Sequence, residues 1–181
     1  MMKIGIGIGD IAGAPAGVDG LVAQARRAEA DGFASGWFAN IMGMDAIMAA
    51  ALCARETRRI ELGTAVMPTF PRHPHAMAQQ ALSAQAIAGG RFTLGIGLSH
   101  QIVIEGMLGL SFAKPYSHMK EYLAVLGPLI RSGSVSHWGS EYRVMPSSPC
   151  RAGSRVRSWS RRWPPRCWRS PGARPRARSP G

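Results

Sequence analysis

Four short apolar runs, each followed by a stretch of helical periodicity and recurring about every thirty residues, constrain this chain more than any other feature. The first, Lys3-Ile-Gly-Ile-Gly-Ile-Gly9, alternates isoleucine with glycine, as a buried strand does where packing demands small residues. Phe33-Ala-Ser-Gly-Trp37-Phe38, Ile60-Glu-Leu-Gly-Thr-Ala-Val66 and Arg91-Phe-Thr-Leu-Gly-Ile-Gly97 are the others. Between the first two, Val18, Leu21, Val22, Ala25 and Ala28 recur at helical spacing until Asp31-Gly32 stops them. Asp45 stands where an N-cap belongs, ahead of an inner face of Ile47, Met48, Ala51 and Leu52. Pro74 suits the first turn of a helix through Met77, Ala78, Ala81, Leu82 and Ile87, which Gly89-Gly90 ends. Ser117 is placed to cap a fourth helix through Tyr122, Leu123, Leu126 and Ile130, with a kink expected at Pro128. Ser134–Val144 reads as a small hairpin about Gly139-Ser140.

Strands alternating with helices at this spacing make βαβ units and a parallel sheet. Four units in 144 residues are half of an eight-stranded barrel, whose complete form takes about 250 residues. The expected fold is therefore α/β, the N-terminal half of a TIM barrel. Its strands should lie near 3–9, 33–38, 60–66 and 91–97, with the fourth left as an open, apolar edge that invites aggregation or dimerisation across the missing half.

Composition divides the chain at residue 144. Residues 1–144 hold 12 basic and 10 acidic residues, a net +2, while 145–181 hold ten Arg and no acid, a net +10. That second segment has seven Pro, seven Ser and three Trp but no Leu, Ile or Phe, so it cannot offset its ordering entropy and is expected to be disordered. Arg, Pro, Ala, Gly, Trp, Ser and Cys are also what GC-rich coding DNA yields out of frame. Reading 157–165 one frame over is compatible with Val-Leu-Val-Ala-Ala-Leu-Ala-Pro, a strand leading into a helix. The organisation expected is thus a partial barrel over 1–144 and an out-of-frame tail over 145–181. An Arg/Trp tail could instead contact phosphates, but the complete absence of Lys and acid speaks for the frame reading, and nucleic acid is not the expected partner.

Other classes are excluded. No run approaches the roughly 20 apolar residues of a membrane helix, and the N-terminus has no signal-peptide profile, so a cytoplasmic location is expected. Cys53, Cys150 and Cys167 are odd in number and lack C-x-x-C spacing, which supports neither a disulfide framework nor a zinc site. Gly7-Ile-Gly9-Asp-Ile-Ala-Gly13 superficially matches a dinucleotide loop, but Pro15 follows closely and Asn40 stands where an acid should end the second strand. Those glycines read as barrel packing. His73 and His75 flank Pro74 without a third ligand nearby, so no metal is expected.

Three motifs in order carry a resemblance: Ile60-Glu-Leu-Gly-Thr-Ala-Val-Met-Pro68, Arg72-His-Pro74 and Ala88-Gly-Gly-Arg-Phe-Thr-Leu-Gly-Ile-Gly97. Over residues 3–144 the chain resembles the luciferase-like flavin and deazaflavin oxidoreductases. Trp37-Phe-Ala-Asn40, Leu98-Ser-His100 and Glu105-Gly-Met-Leu-Gly109 are most similar to members that use the deazaflavin coenzyme F420. The resemblance implies a TIM barrel with the cofactor at the C-terminal ends of the strands, hydride transfer to or from a small organic substrate, and coenzyme F420, or alternatively FMN as in the monooxygenases. It implies cofactor contacts at Asn40, Thr64, Ala65, Val66, Met67, Gly97, Leu98, Ser99 and His100, with a cis peptide at Ala65–Val66 pressed against the ring. His100 is the candidate proton donor, since imidazole titrates near neutrality. Some deazaflavin-dependent dehydrogenases that the chain resembles carry an acid where His100 stands and Asp-His where this chain has Asn40-Ile41. A chain holding half the barrel is expected to bind cofactor weakly or not at all, or to be a product without catalysis, because phosphate groups often sit on loops after strands 7 and 8.

Overall fold

The computed structural model describes residues 3–9 and 17–145. Strands β1 (Gly5–Ile8), β2 (Ser35–Phe38), β3 (Glu61–Thr64), β4 (Met67–Pro68), β5 (Phe92–Thr93) and β6 (Ile96–Gly97) alternate with helices α1 (Val18–Ala30), α2 (Ala46–Glu56) and α3 (Pro74–Ile87). A π-helical segment (Ile102–Met107), helix α4 (Pro115–Ser132) and the antiparallel pair β7 (His137–Trp138) and β8 (Arg143–Val144) follow. Strands β1, β2, β3 and β5 lie side by side in that order, every pairing parallel, and β4 pairs with β6, also parallel. This is the expected half-barrel with its hairpin.

The register runs Gly7, Trp37, Gly63, Thr93 across the sheet, with Ile6, Gly36, Leu62 and Phe92 one residue behind. Because successive side chains alternate faces, Ile8, Phe38, Leu62 and Phe92 share one face, and they belong to the buried core. Helices α1 to α4 cover that face, each packed on the next. Burying a Leu, Ile or Phe there contributes about 1.5–3 kcal/mol, so the chain is held by this single helix-covered layer. The other face carries Gly5, Gly7, Ser35, Trp37, Glu61, Gly63 and Thr93, and no helix lies on it among the described residues.

Helix ends follow their residues closely. Asp45 accepts hydrogen bonds from the Ile47 and Met48 amides at the start of α2. Pro74 occupies the first turn of α3 behind His73, and Gly89 and Gly90 close it with φ of 59° and 89°. The Arg91 guanidinium then reaches back and donates to the carbonyls of Ala54 (2.7 Å), Thr57 (3.0 Å) and Ile60 (2.8 Å), tying the end of α2 and the start of β3 to the fourth unit.

Several expectations need correction. The third run does not continue through 66: β3 ends at Thr64, the Ala65–Val66 peptide is cis, and the strand resumes as β4. The fourth run is likewise split, at Leu94-Gly95, because β5 serves β3 while β6 serves β4. Helix α4 starts at Pro115, not after Ser117, since proline needs no N–H partner in a first turn. It runs four residues beyond Pro128, so that proline forfeits a single intrahelical bond without ending the helix. Val18, Met48, Ile87 and Leu123 are exposed rather than inward, whereas Gln85 and His118 are buried. The dinucleotide-loop segment from Asp10 to Gly13 and the tail from Pro146 onward lie outside the described residues. Among the described residues no helix is long and apolar enough to cross a membrane.

Candidate functional site

Parallel strands bring their C-terminal ends to one face, and the strand breaks at 65–66 and 94–95 fall side by side on it. The Thr64 hydroxyl bridges them, donating to the Gly95 carbonyl (2.8 Å) and accepting from the Gly95 amide (2.9 Å). Beyond this bridge the Met67 amide donates to the same Gly95 carbonyl and the Thr69 amide to that of Gly97. Val66 is thereby projected outward, 42 % exposed, directly over Gly97: a Cβ added to that glycine would lie 2.6 Å from Val66 Cγ2. Gly97 is small because the Val66 methyl occupies the place of its side chain.

The nine residues expected to meet a cofactor are distributed unequally. Ala65, Val66, Gly97, Leu98 and Ser99 form one continuous surface patch, with Ser99 in the left-handed region at φ 64°. Asn40 stands at the same end, where its Oδ1 accepts from the Ala46 amide and helps start α2. Thr64 is buried with its hydroxyl committed to Gly95, and Met67 is fully buried, so these two support the patch from beneath. His100 is exposed, and its carbonyl, which accepts from the Val103 and Ile104 amides, starts the π-helical segment. Around the patch, the loop after β2 exposes Ile41 and Met42, the π-helical segment exposes Ile102 and Met107 with Leu108 just beyond it, and Met48 does so from the first turn of α2.

A second feature escaped the sequence reading. Beside the patch a cavity of about 380 Å³ is lined by Phe70, Leu110, Lys114, His118, Glu141 and Tyr142 among others. His118 is 6 % exposed and stacks on Phe70, ring centroids 3.9 Å apart. Its Nε2 lies 3.0 Å from Thr69 Oγ1 and its Nδ1 3.3 Å from the Tyr142 hydroxyl. Burial holds this imidazole below its ordinary value, against an opposing pull from Glu141, and pushes Tyr142 up to about 12. Helix α4 begins here with Lys114 at its N-cap and no side-chain cap. The signal was present in the i, i+4, i+7 spacing of His118, Tyr122 and Val125, all of which face inward.

Glu121, one turn further along α4, fastens the hairpin. Its carboxylate accepts from the backbone amides of Ser140, Glu141 and Tyr142 and lies 3.3 Å from His137 Nε2. Burial alone raises its pKa, but these hydrogen bonds prevail and bring it to about 2. Asp45 and Arg72 form a half-buried ion pair at 2.6 Å beside the α2 cap. No cluster of three or more His, Cys, Asp or Glu positioned to hold a metal occurs among the described residues.

Residues 2–165 match the model of the luciferase-like monooxygenase family. The chain belongs to that family. The match runs past residue 144, where the motif resemblance stops. Among luciferase-like relatives, one named as a coenzyme F420-dependent oxidoreductase of Mycobacterium tuberculosis is 36% identical over 118 residues, 65% of this chain and 34% of that protein. The F420-dependent glucose-6-phosphate dehydrogenase of Amycolatopsis mediterranei is 27% identical over 96 residues, 51% of this chain and 29% of its own. Among solved structures, the coenzyme F420-dependent tetrahydromethanopterin reductase of Methanopyrus kandleri superposes with a TM-score of 0.68 at 20% identity, covering 79% of this chain and 44% of that one. The FMN-bound oxygenating constituent of a 3,6-diketocamphane monooxygenase from Pseudomonas putida gives 0.68 at 18% identity, with 79% and 43% covered. The chain therefore spans about a third of these curated relatives and under half of the matched structures. The family comprises F420-dependent and flavin-dependent oxidoreductases and monooxygenases, and its four βα units here are the luciferase-like half-barrel.

Proposed function

We propose that this half-barrel carries the ring-binding part of a deazaflavin-dependent oxidoreductase site, moving hydride between coenzyme F420 and a small organic substrate. The observation that carries the reading is the outward Val66 over Gly97, set among exposed apolar side chains at the C-terminal strand ends. A planar aromatic ring fits that surface: Val66, seated over Gly97, and the exposed Met48 and Met107 give it apolar area to cover. When bound, a deazaflavin supplies the hydride chemistry itself.

The chain's own residues hold and orient. Thr64 and Met67 fix the height of Val66 from beneath, and Asn40 fixes the loop after β2. Lys114 and the uncapped start of α4 attract an anionic arm, since a helix N-terminus and an ammonium both favour negative charge. His100, exposed at the same face, is the group proposed to exchange a proton with the substrate as hydride moves. The relatives named for coenzyme F420 are matched by sequence and the FMN-bound enzyme by fold, which favours the deazaflavin over FMN.

Absorbance titration of the 181-residue chain with each cofactor tests this. Coenzyme F420 should bind, more tightly than FMN, and Val66→Asp should weaken it at least tenfold by placing a carboxylate against the ring. Equal binding by the Asp variant refutes the placement, and preference for FMN refutes the cofactor.

A further inference from the structure

Strand β4, which follows Val66, and its partner β6 are each two residues long, so the pairing that seats Val66 over Gly97 rests on a short ladder. Side chains reinforce it. Three of the five polar side chains buried among the described residues, Thr64, Thr69 and His118, gather about this piece of strand. Thr64 ties its near end to Gly95, and Thr69, whose amide donates to the Gly97 carbonyl (3.0 Å), ties its far end to His118 Nε2. An imidazole is a costly choice for that place. Its neighbours on the inner face of α4 are Met119, Tyr122, Val125 and Leu126, and burial works against its charged form. A leucine there would pack without that cost, but it could not bond two elements at once.

His118 does so: Nε2 faces the Thr69 hydroxyl, Nδ1 faces the Tyr142 hydroxyl of the hairpin, and Phe70 lies parallel to the ring. A neutral imidazole offers one donor and one acceptor, and a hydroxyl can serve as either, so both bonds form without a buried charge. The turn beyond Thr69 extends the hold. The Arg72 amide donates to the Thr69 carbonyl, and the Arg72 guanidinium pairs with Asp45, the cap of α2, whose first turn exposes Met48. Residues 69–72 thus reach both sides of the ring patch, and His118 fixes them from the helix layer. We propose that His118 is a positioning residue for the ring patch and that Tyr142 acts on the patch through it. The path runs from the Tyr142 hydroxyl through the imidazole to Thr69 and on to Gly97, beneath Val66. The hairpin, fastened to α4 by Glu121, then serves as a strut for the strand ends. Its bearing on coenzyme F420 rests on the deazaflavin reading above, whereas its bearing on Gly97 does not.

A double-mutant cycle on the full chain tests the path. Tyr142→Phe removes one hydroxyl and leaves the backbone bonds to Glu121 in place, and His118→Phe keeps a ring against Phe70 while losing both imidazole bonds. Amide exchange without cofactor is the first readout. Each single change should speed exchange of the Thr69 amide about fivefold. The Leu62 amide, bonded to the Arg91 carbonyl, and the Ser140 and Glu141 amides, bonded to Glu121, should keep their rates. The double variant should exchange no faster than His118→Phe alone, and His118→Gln, whose amide reaches the place of Nε2, should restore part of the protection. Unchanged exchange at Thr69, additive effects in the double variant, or acceleration shared equally by Leu62 overturns the proposal. Titration with coenzyme F420 is the second readout, and its affinity should fall about threefold in Tyr142→Phe. Unchanged affinity beside faster Thr69 exchange shows that the path stops short of the ring patch and overturns the positioning role. Absence of binding by the unaltered chain counts against the deazaflavin reading instead, and the exchange cycle then decides the path by itself.

Discussion

Replacing Thr64 with Val tests whether the bridge between the two strand breaks holds the patch in place. The change exchanges a hydroxyl for a methyl at a fully buried position, leaving shape nearly constant, so its cost comes from hydrogen bonding. Two bonds to Gly95 disappear, but their consequences differ. The Gly95 carbonyl keeps the Met67 amide as a donor, so that loss is a net bond of about 0.5–1.5 kcal/mol. The Gly95 amide loses its acceptor and bears the penalty of an unsatisfied donor, about 1–3 kcal/mol. The sum is about 1.5–4.5 kcal/mol, a fall in Tm of roughly 5–15 °C for a domain of this size. Thr64→Ser keeps both bonds and loses one methyl, about 1 kcal/mol. Paired urea and thermal melts, with amide exchange at Gly95, measure the difference. A Val variant no less stable than the Ser variant would show that the bridge is incidental and that the β3–β5 and β4–β6 pairings alone set the position of Val66.

Other consequences follow from single groups. Glu121 has a depressed folded-state pKa, so its hold on the hairpin is present above the ordinary carboxylate range and is lost as pH falls towards about 2; exchange protection at Ser140–Tyr142 should decline between pH 4.5 and 2, and in Glu121→Gln it should be weak at every pH. Cys53 is buried with its thiol pushed up to about 11, so mass spectrometry after iodoacetamide at pH 8 should find its peptide unlabelled in the native chain and labelled in urea. Asp45→Ala removes the α2 cap and the partner of Arg72, costing about 1–2 kcal/mol by denaturant titration, whereas Asp45→Asn keeps the cap and should cost less than half of that.

The strand–helix alternation was legible because each unit states its period and its punctuation: Asp45, Pro74, Gly32 and Gly89-Gly90 all do what their chemistry suggests. The strand breaks were illegible from hydropathy, since Ile60–Val66 and Arg91–Gly97 remain apolar through the residues where pairing changes partner. Only the family resemblance marked Ala65–Val66. Helix faces failed where alanine dominates: α2 buries seven of its eleven residues, five of them Ala, so the pattern cannot say that Met48 points outward. The patch at 65–66 and 97–99 was found through its motifs, but the His118 cavity was missed because its walls come from the loop after β4, the stretch ahead of α4, α4 itself and the hairpin, a conjunction that no local window contains.

Arg91 imposes an order of events on a chain made from its N-terminus. Three carbonyls, at Ala54, Thr57 and Ile60, wait for a guanidinium that lies 31 to 37 residues downstream. At 5–20 residues per second, translation takes about 2–7 s to add that length. During this interval the end of α2 and the start of β3 lack the guanidinium, and water must stand in for the bonds it later makes. The corner between the second and third units therefore sets only after the start of the fourth has been synthesised, and codon choice between 60 and 91 governs how long it stays open.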